Sequence, residues 1–233
     1  VMSEAAKICE NVGADIIDIN MGCPAKKVVK SEHGVALRKN HDLAFRLIEA
    51  VSTATNLPVS VKTRLGWDDA SDLIPFCQGA ENAGANMICI HARTYKVPYK
   101  CPAQFEHLYE LKKHINVPLL GNGGIENRQD GLEKLGNLDG FLIGQATFGN
   151  PWCFLDDPNV DFTEKMPIIL NHAKWLIEAK GDHVGTREIR KHLLSYVKGF
   201  HKAKEFRSEL CHVNSYEEIE SIIKSNRVNA KTN

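Results

Sequence analysis

The stretch DIIDINMGCPAKKV, Asp15 to Val28, decides how the rest of the chain is read. Its apolar alternation runs from Asp15 to Asn20 and breaks at Gly22-Cys23-Pro24, where glycine and proline force a turn. Cys23 is therefore left at the carboxyl end of a strand, the place where βα folds put their chemistry. A free cysteine is most often a small buried hydrophobe. This one is lifted out of regular strand by its neighbours, and Lys26 and Lys27 follow closely enough to bias a proton donor electrostatically.

On either side of this stretch, helical and strand periodicities alternate. Helical spacing over 3–11, 41–54, 71–84, 104–114 and 127–135 is interleaved with strand patterns at 15–20, 58–64, 87–91, 118–121 and 140–144. The junctions NVGADIIDIN (11–20) and NAGANMICIH (82–91) repeat a Gly-Ala helix stop before an apolar strand. Alternation of this kind predicts parallel strands joined by helices. Five strands are visible, whereas a βα barrel closes at eight, and the chain begins on a helix with no strand before it. The expected fold is thus a TIM-type βα barrel lacking its first strands, with an open doubly wound sheet as the competing architecture. After Pro151-Trp152 the rhythm ends. The expected organisation is a barrel domain over 1–162 and a small all-helical domain over 163–233.

Composition sets outer bounds. In 233 residues, 43% are hydrophobic and 25% charged, ordinary values for a globular protein. No apolar run approaches a membrane span and the start has no signal-peptide layout, so a cytoplasmic location is expected, without a membrane partner. Seven cysteines with no C-x-x-C pair indicate neither a disulfide framework nor a bound metal. The net charge is +0, but from Thr163 onward there are 13 Lys and Arg against 9 Asp and Glu, leaving 16 against 20 before it. That asymmetry points to a polyanion-facing tail.

The strand ends carry polar or glycine-rich signatures: Lys62 and Arg64, spaced to share one side; His91 followed by Arg93; Gly121-Asn122-Gly123-Gly124; and Gly144-Gln145. Each alone has a bland reading as a solvated cap or a turn. Their common location at strand carboxyl ends favours a site assembled from several strands. Two glycine-rich loops opening helices suit a phosphate, while the absence of G-x-G-x-x-G after a strand argues against a Rossmann site.

The motifs IDINMGCPAKKV, VSVKTRLGWD, ICIHART, GNGGI and FLIGQATFGNPWCF, in this order, resemble those of the tRNA-dihydrouridine synthases. The resemblance implies reduction of a tRNA uridine to 5,6-dihydrouridine, with FMN as cofactor and NADPH as reductant. It implies that Cys23 is the acid that protonates C5 as hydride arrives at C6. Asn20, Arg64 and Arg93 would contact the uracil substrate, and Lys62, His91, Asn122, Gly123, Gly124, Gly144 and Gln145 would hold FMN. An ordinary thiol, with a pKa of about 8.5, keeps its proton near neutrality and still releases it as charge develops. The chain departs from the family pattern at Gln145, where arginine is usual, at Glu32 and His33, where small residues are usual, and at Cys101, where glycine is common.

In the tail, REIRKHLLSYVKGFHK (187–202) sets Arg187, Lys191, Lys198 and Lys202 on one helical face, opposite Ile189, Leu193, Tyr196, Val197 and Phe200. Arg190-Lys191-His192 resembles the R-K-H segment of the family's helical tRNA-binding domain. The tRNA-contacting set expected from stripe and segment together is Arg187, Arg190, Lys191, His192, Lys198 and Lys202. Two other readings remain: a non-catalytic RNA-binding remnant, and another FMN barrel oxidoreductase acting on a free pyrimidine.

Overall fold

The computed structural model describes residues 1–157, 159–199 and 203–226. The first compact unit comprises Val1–Ile125 and Gln129–Gly144, and the second comprises Glu126–Arg128 and the chain from Gln145 onward. The expected boundary at Phe162 lies inside the second unit, because Trp152 already packs against the helical core there.

In the first unit, α1 (Met2–Asn11), β1 (Ile17–Asn20), α2 (Lys26–Lys30), a 3-10 segment (Gly34–Lys39), α3 (His41–Ser52), β2 (Val59–Arg64), α4 (Leu73–Asn82), β3 (Met87–His91), α5 (Glu106–Leu111) and β4 (Leu119–Asn122) follow one another. Helix α6 (Arg128–Glu133) and β5 (Gly140–Leu142) complete the series. All four strand pairings are parallel, and the order in the sheet is β1-β2-β3-β4-β5. A doubly wound sheet reverses its order at a switch point; here each strand lies beside its predecessor, as in a barrel wall.

The repeated Gly-Ala junctions are helix stops of one kind. After α1, Gly13 adopts φ +87 and the Ala14 N–H returns to Cys9 O at 3.1 Å; after α4, Gly84 adopts φ +103 and the Ala85 N–H returns to Ala80 O at 3.0 Å. Both bonds close Schellman turns, and the left-handed residue favours glycine.

Strand parity separates the sheet into two chemically different faces. Ile19, Val61, Ile88, Ile90 and Leu119 alternate onto one face and are buried with Ile48 of α3, Phe76 of α4 and Leu108 of α5. Onto the other alternate Asp18 and Asn20, Ser60, Lys62 and Arg64, Cys89 and His91, and Asn122. A polar sheet face is costly unless its groups are paired or serve a ligand.

One ionic cluster locks the β2–α4 loop. The Arg38 side chain is fully buried, lies 3.8 Å from the centroid of the Phe76 ring, and donates to Asp72 Oδ1 at 2.5 Å and to Leu65 O at 3.1 Å. His41 Nε2 lies 2.8 Å from the other Asp72 oxygen. Removing the carboxylate strands a buried guanidinium, so Asp72→Ala should destabilise by roughly 3 kcal/mol, whereas the double variant Asp72→Ala with Arg38→Met, which removes both charges and fills the site, should recover most of that loss. Urea denaturation of the two variants checks this contrast.

The second unit packs α7 (Phe162–Lys180), α8 (Asp182–Tyr196), α9 (Ala203–Leu210) and α10 (Tyr216–Ser225) around Ile169, Ala173, Ile189, Leu193, Leu210, Ile219 and Ile223. Asp161 and Glu164 form a capping box at the start of α7. No described helix is long and apolar enough to cross a membrane.

Candidate active site

The segment after β1 is held from all sides. Asn20 Oδ1 accepts the N–H groups of Gly22 and Cys23, each at 3.1 Å, an Asx turn that closes the strand. Met21 is pinned to β2, its N–H donating to Lys62 O at 2.7 Å and its carbonyl accepting Thr63 Oγ1 at 3.2 Å. The Val35 N–H donates to Cys23 O at 3.1 Å, tying the loop to the 3-10 segment. The result presents a half-buried Cys23 thiol at the carboxyl end of the sheet. The other thiols of this unit include two deeply buried ones: burial pushes Cys77 up to about 12 and Cys89 up to about 11.

Arg64 joins this loop to the next strand. Only 3% exposed, it donates through Nε to Gly22 O at 3.0 Å, through Nη1 to Thr94 O at 3.2 Å and through Nη2 to the Tyr99 hydroxyl at 2.8 Å. Of the five guanidinium N–H groups, two remain for a ligand. The sequence singled Arg64 out as a substrate residue; the structure adds that it shapes the cysteine loop. Asn20 has the same double character, because its Oδ1 is engaged while its Nδ2 donates to no described residue.

Along the polar face, Lys62 Nζ donates to Asn122 Oδ1 at 3.2 Å, and Asn122 Nδ2 donates to Leu142 O at 2.8 Å. His91 lies edge-on to Tyr99 with centroids 5.6 Å apart, and its buried Nδ1 has no hydrogen-bond partner. Burial first, then the charges of Arg64, Lys62 and Arg93, lower His91 from 6.5 to about 3. The imidazole is therefore neutral at physiological pH. In the unfolded chain it takes a proton near 6.5 and in the fold only near 3, so stability is intact above 6.5 and is lost as pH falls through that window. The thermal midpoint of the wild type should consequently fall more steeply between pH 6.5 and 4 than that of His91→Gln, in paired melts across that range.

Beyond β4, Gly123 and Gly124 have φ of +121 and +66. A Cβ on Gly123 would sit 3.4 Å from His91 Nε2, and one on Gly124 would sit 3.3 Å from Arg93 Nη2. The two glycines thus open a cradle beside an imidazole and a guanidinium. Arg93, also anchored by Nε to Cys101 O at 2.7 Å, stands at this cradle. Gly144 follows β5 and is exposed, while Gln145 opens a 3-10 turn (Gln145–Thr147) of the second unit. Among the described residues, Lys62, Arg64 and Arg93 have no carboxylate partner. A glycine cradle beside the neutral His91 imidazole and the Arg93 guanidinium, with Lys62 bonded to Asn122 just before it, fits an anionic, hydrogen-bond-accepting group such as a phosphate-bearing flavin. No cluster of three or more His, Cys, Asp or Glu side chains among the described residues is placed to hold a metal ion.

In the second unit the basic stripe is shorter than its periodicity predicts. Helix α8 stops at Tyr196 and Gly199 adopts φ +88, so Lys198 lies in the turn beyond the helix, and Lys202 falls outside the described residues. Arg187 and Lys191 are exposed on α8. Arg190 is instead turned inward, donating from Nε and Nη2 to Val213 O at 3.0 and 2.7 Å and from Nη2 to Asn214 Oδ1 at 3.1 Å. It braces α8 against the α9–α10 loop. His192 is half-buried, its ring 4.9 Å from that of His172.

A sequentially ordered parallel βα sheet with a cysteine loop, a cationic polar face and a glycine cradle at its carboxyl ends defines an α/β barrel-type enzyme unit, here followed by a helical unit. The sequence model of the family "Dihydrouridine synthase (Dus)" matches residues 1–232. The chain belongs to that family, as its five ordered motifs suggest. A probable tRNA-dihydrouridine synthase of Rickettsia prowazekii is 36% identical over 228 residues, 92% of this chain and 68% of the relative. The tRNA-dihydrouridine synthase B of Vibrio vulnificus is 36% identical over 221 residues, 89% of this chain and 68% of that protein.

Proposed function

We propose that this chain reduces a uridine base of tRNA to 5,6-dihydrouridine in the cytoplasm, using FMN that is itself reduced by NADPH. The observation that carries the reading is the Cys23 loop, held by Asn20, Thr63, Arg64 and Val35 beside a sheet face on which Lys62 and Arg64 have no ion-pair partner among the described residues. When bound, the flavin supplies the hydride that C6 of the uracil accepts. Cys23 supplies the proton that C5 requires and is reprotonated from solvent. Asn20 Nδ2 and the two remaining Arg64 N–H groups address the uracil carbonyls, and the guanidinium stabilises the negative charge that develops on the ring. Lys62, His91 and Asn122 hold the cofactor's ring system. The Gly123-Gly124 cradle takes its phosphate, together with Arg93, which we assign to the cofactor because it stands over Gly124. Exposed Arg187, Lys191 and Lys198 contribute salt-dependent contacts to the tRNA backbone.

The test is a titration with FMN followed by visible absorption, then a dihydrouridine assay on unmodified tRNA with NADPH. Wild type should bind the flavin with a spectral shift and convert tRNA. Lys62→Met should weaken flavin binding roughly 10- to 100-fold, the range expected for a lost hydrogen bond to a charged group. A colourless protein that ignores FMN, or turnover of free uracil in preference to tRNA, would sink the reading.

A further inference from the structure

The loops after β2 and β3 carry two aromatic rings that the chemistry above leaves unused. Trp67 and Tyr95 stack with centroids 4.2 Å apart and planes 27° apart. The backbone fixes them in that relation, since the Tyr95 N–H donates to Gly66 O at 3.0 Å and the Lys96 N–H to Trp67 O at 3.3 Å. Lys39 Nζ stands 4.6 Å from the centroid of the Trp67 ring. Both rings are only half-buried, unlike Phe76, which is 0% exposed. A pair serving the core alone would be covered as Phe76 is.

The same loops are wired to the cysteine loop. Arg64 spans from Gly22 O to Thr94 O, the residue before Tyr95. Arg38, the residue before Lys39, reaches Leu65 O, two residues before Trp67. Rings and thiol are thereby carried on one cross-braced set of loops at the carboxyl ends of β1, β2 and β3.

We propose that the Trp67–Tyr95 pair is a stacking platform for an unpaired RNA base flanking the uridine presented to Cys23. The inference rests on the reading above that RNA is the substrate. Charge around the rings is balanced, exposed Asp68 and Asp69 standing against Lys39 and against Lys96, which lies 3.7 Å from Asp68, so what the spot offers a ligand is ring surface and not net positive charge. Phosphates are drawn instead to Lys26, Lys27 and Lys30, exposed on α2 just after Cys23. A preorganised aromatic face accepts any base, since every base has a π-face.

The experiment uses the full chain with Trp152→Phe and Trp175→Phe, so that Trp67 is the sole tryptophan emitter. It is titrated with a uridine-containing RNA hairpin whose loop is unpaired, and with the corresponding full duplex. The hairpin should quench Trp67 emission and the duplex should not. Tyr95→Leu, which keeps the bulk and loses the ring, should weaken hairpin binding roughly 10-fold or more, and Tyr95→Phe should restore it. Emission indifferent to the hairpin, or wild-type affinity in Tyr95→Leu, overturns the platform. Should Tyr95→Leu fail to fold, the quench in the Tyr95-containing protein decides alone. Quenching by the hairpin in a protein that makes no dihydrouridine would sink the enzymatic reading and leave the platform standing.

Discussion

Cys23→Ala should lower dihydrouridine formation on tRNA by on the order of 10²- to 10⁴-fold, the usual worth of a positioned general acid, while bound flavin is still reduced by NADPH. The two half-reactions separate because Cys23 contacts neither the Lys62–Asn122 pair nor the glycine cradle in the hydrogen-bond network. Its backbone is held by Asn20 and Val35, so alanine keeps the loop and deletes only the proton source. Cys23→Ser supplies a far weaker acid at the same place and should recover only a small part of the rate. The competing donor is Cys89, which shares the polar face and lies in register with Lys62. Burial holds that thiol up at about 11, which makes it a poor proton donor at neutral pH. Single-turnover assays on pre-reduced enzyme distinguish the two: a full rate in Cys23→Ala with loss in Cys89→Ala would move the acid to Cys89.

The strands were legible because their signals are local. The 87–91 pattern matches β3 at both ends, and the others differ by a residue or two at one or both ends. The shared side of Lys62 and Arg64 also follows from parity alone. Strand order was not legible, because sequential winding and a reversal at a switch point use the same βα units; pairing resolves it. At the site, residue types and their positions at strand ends could be read, but the wiring could not. Arg64 to Gly22, Lys62 to Asn122 and Arg38 to Asp72 join residues far apart in sequence. Two signals lay within reach. Asn20 stands two residues before Gly22, the spacing of an Asx turn, and Gly199 marks the helix stop that removes Lys198 from the α8 stripe. Arg190 carried no such mark, since its partner carbonyl belongs to Val213.

Gly34 is where the loop after Cys23 should prove least tolerant. It adopts φ +61, and a Cβ there would lie 2.6 Å from Cys23 O and 3.1 Å from Cys23 Cβ. The first of these contacts is with backbone, which cannot rotate aside, and that carbonyl is the one bonded to the Val35 N–H. Gly34→Ala therefore meets two separate costs. Left-handed backbone in a residue with a Cβ costs roughly 1–2 kcal/mol, a fall of about 3–6 °C in melting temperature for a domain of this size. The clash, in addition, must displace the cysteine loop, and a misplacement near 1 Å can cost on the order of 10²-fold in rate. Gly13→Ala separates the two effects, because Gly13 has φ +87 and nothing within 4 Å of its Cβ position. Both variants should melt lower, but only Gly34→Ala should lose turnover of tRNA, with flavin affinity retained in each. Glu32, at φ 59, shows that this turn already holds one side chain in the left-handed region. The intolerance expected at Gly34 thus comes from the backbone of Cys23 pressed against it, and equal activity in the two alanine variants would mean that the loop can yield without moving the thiol.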